Sequence, residues 1–226
     1  MVTSDKVYKN NEWIWGYREN DSMGGEDMYS ATKASAELII KSYKKFILNN
    51  TNIKIGIARA GNVIGGGDWT ENRIVPDLIK AWHNNKILYV NNIDSIRPWQ
   101  HVIDPLYGYI KLASFLNKKI NSKFPNDFNF GPSGNETYKV KDVINQMTVD
   151  LGKIRVSFKK RKFKEHSLLR LDSSLANYLL DWKTQISFEE MCHLTSTWYE
   201  NFYRKKTPVL DFSKSQIMNF LKNKNL

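Results

Sequence analysis

The chain has 226 residues, 41% hydrophobic and 25% charged, a composition that is typical of a globular protein and excludes a largely disordered one. Lys and Arg exceed Asp and Glu by 34 to 23, and the formal charge of +11 favours anionic partners in general. The lone Cys192 excludes an internal disulfide, and no apolar run approaches the roughly 20 residues of a membrane helix. The N-terminus lacks the pattern of a secretory signal, so we expect a cytoplasmic protein with no membrane partner.

The first part of the chain predicts alternating strands and helices. Residues 1–8 predict the end of a strand that enters a loop, and apolar spacing predicts an amphipathic helix over about 29–48. An Ile-rich run over 53–58 predicts a buried strand, which leads into a glycine-rich loop over 62–69. This order is typical of a doubly wound α/β sheet, whose ligands bind outside the carboxyl ends of the strands. The apolar residues expected on the buried face of the helix are Leu38, Ile39, Ile40, Tyr43, Phe46 and Ile47.

Beyond residue 73 the pattern changes to shorter elements. Ser187 and Glu190 predict a capping box at the start of the last strongly periodic helix. The Lys- and Asn-rich tail after Pro208 is expected to fray. The predicted elements of this part are helices near 74–82, 106–116, 139–150 and 188–203, and strands near 88–90, 128–130 and 154–158.

One expected motif does not occur in this sequence. A dinucleotide-binding sheet normally opens with a strand, a G-x-G-x-x-G turn and a helix whose N-terminus holds a pyrophosphate. The three glycines at 65–67 follow a strand but lack that spacing, so they carry little weight as a phosphate cradle. The sequence therefore predicts an α/β fold with a partial Rossmann-like, doubly wound sheet and a smaller α/β substrate-binding domain.

Tyr29 and Lys33 lie four residues apart and share one face of the predicted helix. A phenol is a poor base at neutral pH, but a neighbouring ammonium favours the phenolate, and the pair can then move a hydroxyl proton. The Y-x-x-x-K pattern alone is weak, because a solvated helix face produces it often. Its context strengthens it, since residues 4–6 (SDK) precede it at one strand end and Arg59-x-x-Asn62 follows it at another. A local turn and ordinary loop hydrogen bonds are the structural alternatives for these two segments.

Six motifs occur in a fixed order. They are residues 4–8 (SDKVY), 15–21 (WGYREND), 24–25 (GG), Tyr29-x-x-x-Lys33, 59–69 (RAGNVIGGGDW) and 97–102 (RPWQHV). In this order they resemble the CDP-glucose 4,6-dehydratases, which are extended short-chain dehydrogenase/reductases, and the likeness runs from Val2 to about Tyr203. Related nucleotide-sugar dehydratases usually carry Thr-Asp-Glu at positions 4–6, so Lys6 points to the CDP-glucose branch.

The resemblance implies a NAD-dependent lyase that converts CDP-glucose to CDP-4-keto-6-deoxyglucose. Tyr29 would take the proton of the sugar 4-hydroxyl as hydride leaves C4 for NAD, while Lys33 holds the phenolate and the cofactor ribose. Water would then be lost across C5 and C6. Asp5 would donate a proton to the departing hydroxyl, and Lys6 would assist removal of the C5 proton. Ser4 would hydrogen-bond the 4-oxygen.

The same resemblance implies a nucleotide-sugar site. Arg97 would clamp the diphosphate, because a guanidinium binds phosphate in bidentate fashion. Asn62 would hold the substrate side of its loop, and Trp69 or Trp99 would pack on the sugar or base. His101 is predicted to be a structural hydrogen-bonding residue rather than a base. The scattered histidines and single cysteine predict no metal site.

The resemblance also divides the chain. Residues 1–70 would be the C-terminal part of a Rossmann-like NAD-binding domain, 71–207 mainly a substrate-binding domain interleaved with late Rossmann elements, and 208–226 a basic tail. The cofactor-binding N-terminal part of the family is not encoded here, so we expect little or no activity from this chain alone. Its protein partner would be a complementing N-terminal half or a second copy. The alternatives are another extended short-chain dehydratase or epimerase, a non-catalytic fragment or half of a split enzyme, and, ranked last, a nucleic-acid-binding protein.

Overall fold

The computed structural model describes residues 1–118, 125–132, 137–158 and 168–223. It is mixed α/β structure, as the sequence predicts. Within these ranges the helices are α1 (Met28–Phe46), α2 (Ile74–His83), α3 (Ile103–Asn117), α4 (Val140–Leu151), α5 (Ser174–Leu180), α6 (Phe188–Arg204) and α7 (Val209–Asn223). The strands are β1 (Ile57–Ala60), β2 (Val63–Ile64), β3 (Leu88–Val90), β4 (Ile96–Arg97), β5 (Gln100–His101), β6 (Asp127–Phe130), β7 (Tyr138–Lys139) and β8 (Val156–Phe158), and Asp5–Val7 forms a 3₁₀ turn.

One compact unit contains Met1–Asn62, Asp104–Asn135 and Leu168–Thr184. Its sheet is parallel: β6 pairs with one edge of β1, and Val2 forms a parallel bridge to Ala58 on the other edge. Parallel strands joined through helices are typical of α/β folds. The core of this unit is aromatic, with Phe128, Phe130 and Trp182 all at most 1% exposed.

The second unit contains Val63–Ile103, Glu136–Ser167 and Gln185–Leu226. In the described part of this unit the strands form three short pairs, of which β2–β5 and β3–β8 are parallel and β4–β7 is antiparallel. Helix α4 packs against α6, which buries apolar residues such as Met147 and Met191. The division into residues 1–70, 71–207 and 208–226 concerns functional domains and stays a prediction.

The predicted helices and strands correspond to observed ones, with boundaries that shift by a few residues. Strand β3 has the predicted bounds, and α2 and α6 each end one residue later than expected. The strand predicted over 53–58 is the exception. Pairing of β1 with β6 begins only at Ile57, and Ile53 is exposed. The two-residue strands β2, β4, β5 and β7 and the seven-residue helix α5 are not predicted by the sequence, since such short elements carry too little periodicity.

The predicted buried face of α1 is wrong. The buried side chains of this helix are Ser30, Ala34 and Glu37, a narrow stripe of small and polar residues. Glu37 occupies the inner stripe because it forms an ion pair with a buried arginine, and the small residues beside it permit close packing. The apolar residues that the structure leaves exposed are Leu38, Ile39, Tyr43, Phe46 and Ile47.

The expected fraying of the tail is also wrong for the residues described. Val209–Asn223 form α7, whose Ser213 and Gln216 side chains bond to Trp198 Nε1 and the Leu194 carbonyl of α6. Residues 224–226 of the predicted tail lie outside the described ranges. No helix in the described part of the chain is both long and apolar enough to cross a bilayer.

Candidate active site

The segment after the Val2 bridge holds three predicted reactive residues. Ser4 caps the 3₁₀ turn Asp5–Val7: its Oγ accepts a hydrogen bond from Lys6 N at 3.2 Å and donates one to Asp5 Oδ1 at 3.0 Å. Ser4 and Asp5 are buried and Lys6 is half-buried. A local turn is therefore present, and it brings a hydroxyl and a carboxyl group together at the end of the strand segment.

The helix with the predicted base begins directly after a capping aspartate. Asp27 accepts hydrogen bonds from Ser30 Oγ at 2.6 Å and Ser30 N at 3.0 Å, and these bonds, with a smaller effect from Lys6, lower the pKa of Asp27. Tyr29 lies in the first turn of α1 and is 48% exposed. Lys33 Nζ lies 5.6 Å from the centroid of the Tyr29 ring. The predicted sharing of one helix face is confirmed.

Helix α1 packs against the 3₁₀ turn. Gly24 N donates to Val7 O at 2.8 Å, and a Cβ on Gly25 would overlap the Ser30 side chain, so a glycine is needed where this loop touches the helix. Thr3 Oγ1 donates a hydrogen bond to Glu37 at 2.6 Å. The charge of Lys6 helps to lower the pKa of Asp27 at the start of the helix. The Thr3–Lys6 segment therefore runs along the part of α1 that carries Lys33 and Tyr29.

Arg59 does not form part of an open loop, although the sequence places it at a strand end. Its side chain is completely buried, with Nε 2.8 Å from Glu37 Oε1 and Nη2 2.5 Å from Glu37 Oε2. Burial alone would lower the pKa of the guanidinium, but the hydrogen bonds and charge of Glu37 raise it above its usual value. Arg59 is a permanently charged internal anchor.

The Arg59 network includes residues that the sequence analysis missed. Arg59 Nη1 donates to Tyr8 Oη at 2.7 Å, and Tyr8 Oη donates to Asn129 Oδ1 at 2.7 Å. Burial raises the pKa of the Tyr8 phenol, so that it stays a neutral donor. Asn129 N in turn donates to Glu19, whose pKa burial raises. The sequence feature that could have indicated this network is Glu37, a charged residue one helical turn after Lys33 in an otherwise uncharged stretch.

The residues predicted to bind substrate occupy several environments. Asn62 follows β1 and is half-buried. Arg97 lies in β4, with Nη1 donating to the Ile96 carbonyl at 2.8 Å. Trp69 is 38% exposed and contacts the rings of Tyr199, Phe202 and Tyr203. Trp99 is buried, and its Nε1 donates to Tyr138 O at 3.0 Å. Their substrate contacts stay predictions.

The glycine-rich loop owes its composition to packing. A Cβ on Gly66 would overlap the Trp198 indole, and Gly67 has a φ of +84°. A Cβ on Gly65 would meet Val102, next to His101. The His101 ring is 2% exposed, Ile103 N donates to its Nδ1 at 3.4 Å, and burial lowers its pKa to about 4. This setting fits the structural role expected for His101.

Comparisons with known proteins determine the family. The sequence matches the family described as GDP-mannose 4,6 dehydratase over residues 1–195. The chain belongs to that dehydratase family. It is also 37% identical to the CDP-glucose 4,6-dehydratase of Salmonella typhimurium over 97% of this chain and 63% of the relative.

Solved structures show the fold of this family member. A dTDP-glucose 4,6-dehydratase from Bacillus anthracis in complex with NAD has a TM-score of 0.72 at 22% identity, over 88% of this chain and 60% of that one. A UDP-glucose-4-epimerase from Stenotrophomonas maltophila with bound NAD has a TM-score of 0.76 at 19% identity, over 90% and 63%. The chain thus has the α/β fold of these proteins and spans less than two thirds of their length.

Proposed function

We propose that this chain carries the acid–base groups of a nucleotide-sugar 4,6-dehydratase that acts on CDP-glucose. The observation that carries the proposal is the packing of the Ser4-Asp5-Lys6 turn along the part of α1 that bears Tyr29 and Lys33. The 37% identity to a CDP-glucose 4,6-dehydratase supports CDP-glucose among the nucleotide sugars. Lys6, in place of the glutamate common among related dehydratases, supports the same choice.

The proton transfers follow from the side chains available. Tyr29, with the Lys33 ammonium beside its ring, takes the proton of the sugar 4-hydroxyl. Once hydride has also left C4, the 4-keto group acidifies the C5 proton, and Lys6, as the neutral amine, assists removal of that proton. Asp5 donates a proton to the departing 6-hydroxyl, so that one water leaves. Ser4 Oγ, which bonds to Asp5 in the free chain, hydrogen-bonds the sugar 4-oxygen when substrate is bound.

NAD is the cofactor that this chemistry requires, and when bound it supplies the hydride acceptor for C4 and the hydride donor for C6. The chain's phenol and ammonium on one helix face fit the nicotinamide ribose, whose hydroxyls Lys33 would bond. The 226 residues contain no G-x-G-x-x-G turn that would hold the pyrophosphate. Arg97 would bind the diphosphate of the nucleotide sugar, Asn62 the substrate side of its loop, and Trp69 or Trp99 the sugar or base.

We infer that turnover requires the cofactor-binding portion that the longer relatives have. The pyrophosphate turn normally provides the backbone N–H groups at a helix N-terminus that hold the dinucleotide. Tyr29 and Lys33 would contact only the nicotinamide end of NAD. The chain by itself should therefore show little or no turnover.

The test compares the purified chain alone with the chain fused behind the cofactor-binding N-terminal portion of the curated relative. Each protein receives NAD and CDP-glucose, and the 4-keto-6-deoxy product is detected by mass as the loss of one water. We expect product from the fusion and little or none from the chain alone. Tyr29→Phe in the fusion should lower kcat by about a hundredfold or more, because the proton acceptor is removed.

Parallel reactions with dTDP-glucose and GDP-mannose test the substrate. A fusion that dehydrates either of them faster than CDP-glucose would reject CDP-glucose as the substrate. A folded fusion that turns over none of the three would reject the dehydratase proposal. Tyr43→Phe serves as the matched control, because this exposed tyrosine lies on α1 outside the proposed site and its loss should leave kcat unchanged.

A further inference from the structure

Glu37 lies on α1 two helical turns after the proposed base. It follows Lys33 by four residues and Tyr29 by eight, and it belongs to the buried stripe with Ser30 and Ala34. Unlike Tyr29, which is half-exposed, Glu37 is completely buried. A carboxylate at this depth is retained only when its hydrogen bonds are supplied by the surrounding structure.

The Glu37–Arg59 pair holds both flanks of the 3₁₀ turn. On the N-terminal flank, Thr3 Oγ1 donates to Glu37 Oε1 at 2.6 Å, and Thr3 directly precedes Ser4. On the C-terminal flank, Tyr8 caps the turn and accepts from Arg59 Nη1 at 2.7 Å. The residues on both sides of the turn, Thr3 and Tyr8, therefore each form a hydrogen bond to the same ion pair.

The ion pair joins two elements directly and a third through Tyr8. Glu37 belongs to α1, Arg59 to β1, and Asn129, which receives the Tyr8 hydroxyl bond, to β6. A buried ion pair is weak evidence for stability, because apolar residues of similar volume commonly stabilise as well or better. Its value here lies in the fixed angles of the guanidinium and carboxylate, which set the rotation and axial position of α1 against the turn.

We propose that Glu37 is a positioning residue that holds the Tyr29–Lys33 helix in register with the Ser4-Asp5-Lys6 turn through Thr3 and Arg59. This inference rests on the proposed function for its catalytic consequence. The effect of Glu37 on the position of α1 can be tested separately, because the register of α1 is measurable without substrate. Tyr29 lies two helical turns, roughly 12 Å, from Glu37, so only movement of the helix or turn transmits a change between them.

The experiment places 3-fluorotyrosine in the full chain and follows the ¹⁹F resonance of Tyr29, assigned by its loss in Tyr29→Phe. Thr3→Val removes one hydroxyl and leaves the ion pair intact, whereas Thr3→Ser keeps the hydroxyl. We expect the Tyr29 resonance to shift or broaden in Thr3→Val and in Glu37→Gln, and to stay as in the parent in Thr3→Ser. Ile39→Ala is the control, because it truncates an exposed apolar side chain of the same helix that carries no hydrogen-bonding group.

A kinetic arm uses the same variants in the fusion with the N-terminal portion. Thr3→Val should lower kcat by about tenfold with KM within about twofold, because the reacting groups lose alignment while substrate contacts remain. Unchanged Tyr29 resonances in Thr3→Val and Glu37→Gln would overturn the inference, even if their unfolding midpoints fall. A parent fusion without turnover would reject the proposed function, and the ¹⁹F comparison would still decide the role of Glu37.

Discussion

Burial keeps the His101 imidazole neutral in the folded chain. Its pKa is lowered to about 4, whereas a histidine in an unfolded chain titrates near about 6.5. Between these values the unfolded state binds a proton that the folded state does not, so the stabilisation is complete above about pH 6.5 and is lost as the pH falls towards 4. At pH 4.5 we expect the free energy of unfolding to have fallen by about 2 kcal/mol through this one group.

His101→Asn isolates this effect, because the amide oxygen can still accept the Ile103 N–H bond but cannot be protonated. Urea unfolding followed by tryptophan fluorescence at pH 7.5 and 4.5 gives the two free energies of unfolding for each protein. The parent should lose more stability than the variant over this interval. An equal loss in both would show that His101 does not contribute to the acid sensitivity.

At the scale of the element, the start of α1 depends on one carboxylate. Asp27 accepts two hydrogen bonds from Ser30, and the lowered pKa of Asp27 means that this cap is present at neutral pH and is lost as the pH falls below about 4. Asp27→Ala should lower the free energy of unfolding by about 1 kcal/mol at pH 7.

The matched control is Ser187→Ala, since Ser187 Oγ accepts from Glu190 N at 3.1 Å and caps α6 in the same way. Chemical unfolding at pH 7 and pH 3 distinguishes the two caps. The cost of Asp27→Ala should shrink in acid, whereas that of Ser187→Ala should stay the same, because a hydroxyl does not titrate in this range. A pH-independent cost for both variants would contradict the assigned charge of the Asp27 cap.

At the scale of the whole molecule, α7 is part of the folded structure and not a loose basic tail. Phe220 is 5% exposed, whereas Leu210 on the same helix is 64% exposed. Phe220→Ala should lower the free energy of unfolding by about 3 kcal/mol, and Leu210→Ala should change it by less than about 0.5 kcal/mol. Thermal unfolding of the two variants checks the difference, and equally small effects would mean that α7 does not dock in solution.

Much of the local structure could be predicted from the sequence. Helices α2 and α6 appear within about one residue of their predicted ends, and Tyr29 and Lys33 share a face as expected. These features depend on spacing within a few turns, where the 3.6-residue period of a helix acts directly. The motifs also indicated the dehydratase family, which the comparisons establish.

The tertiary structure alone decided which groups are buried. Glu37 lies inside and Phe46 outside, the reverse of what side-chain polarity suggests, because Arg59 is 22 residues away in sequence but directly opposite in the fold. Gly66 likewise owes its identity to Trp198, far along the chain. Helical periodicity is a property of neighbouring residues, whereas charge pairing and ring packing depend on which distant segments the chain path brings together.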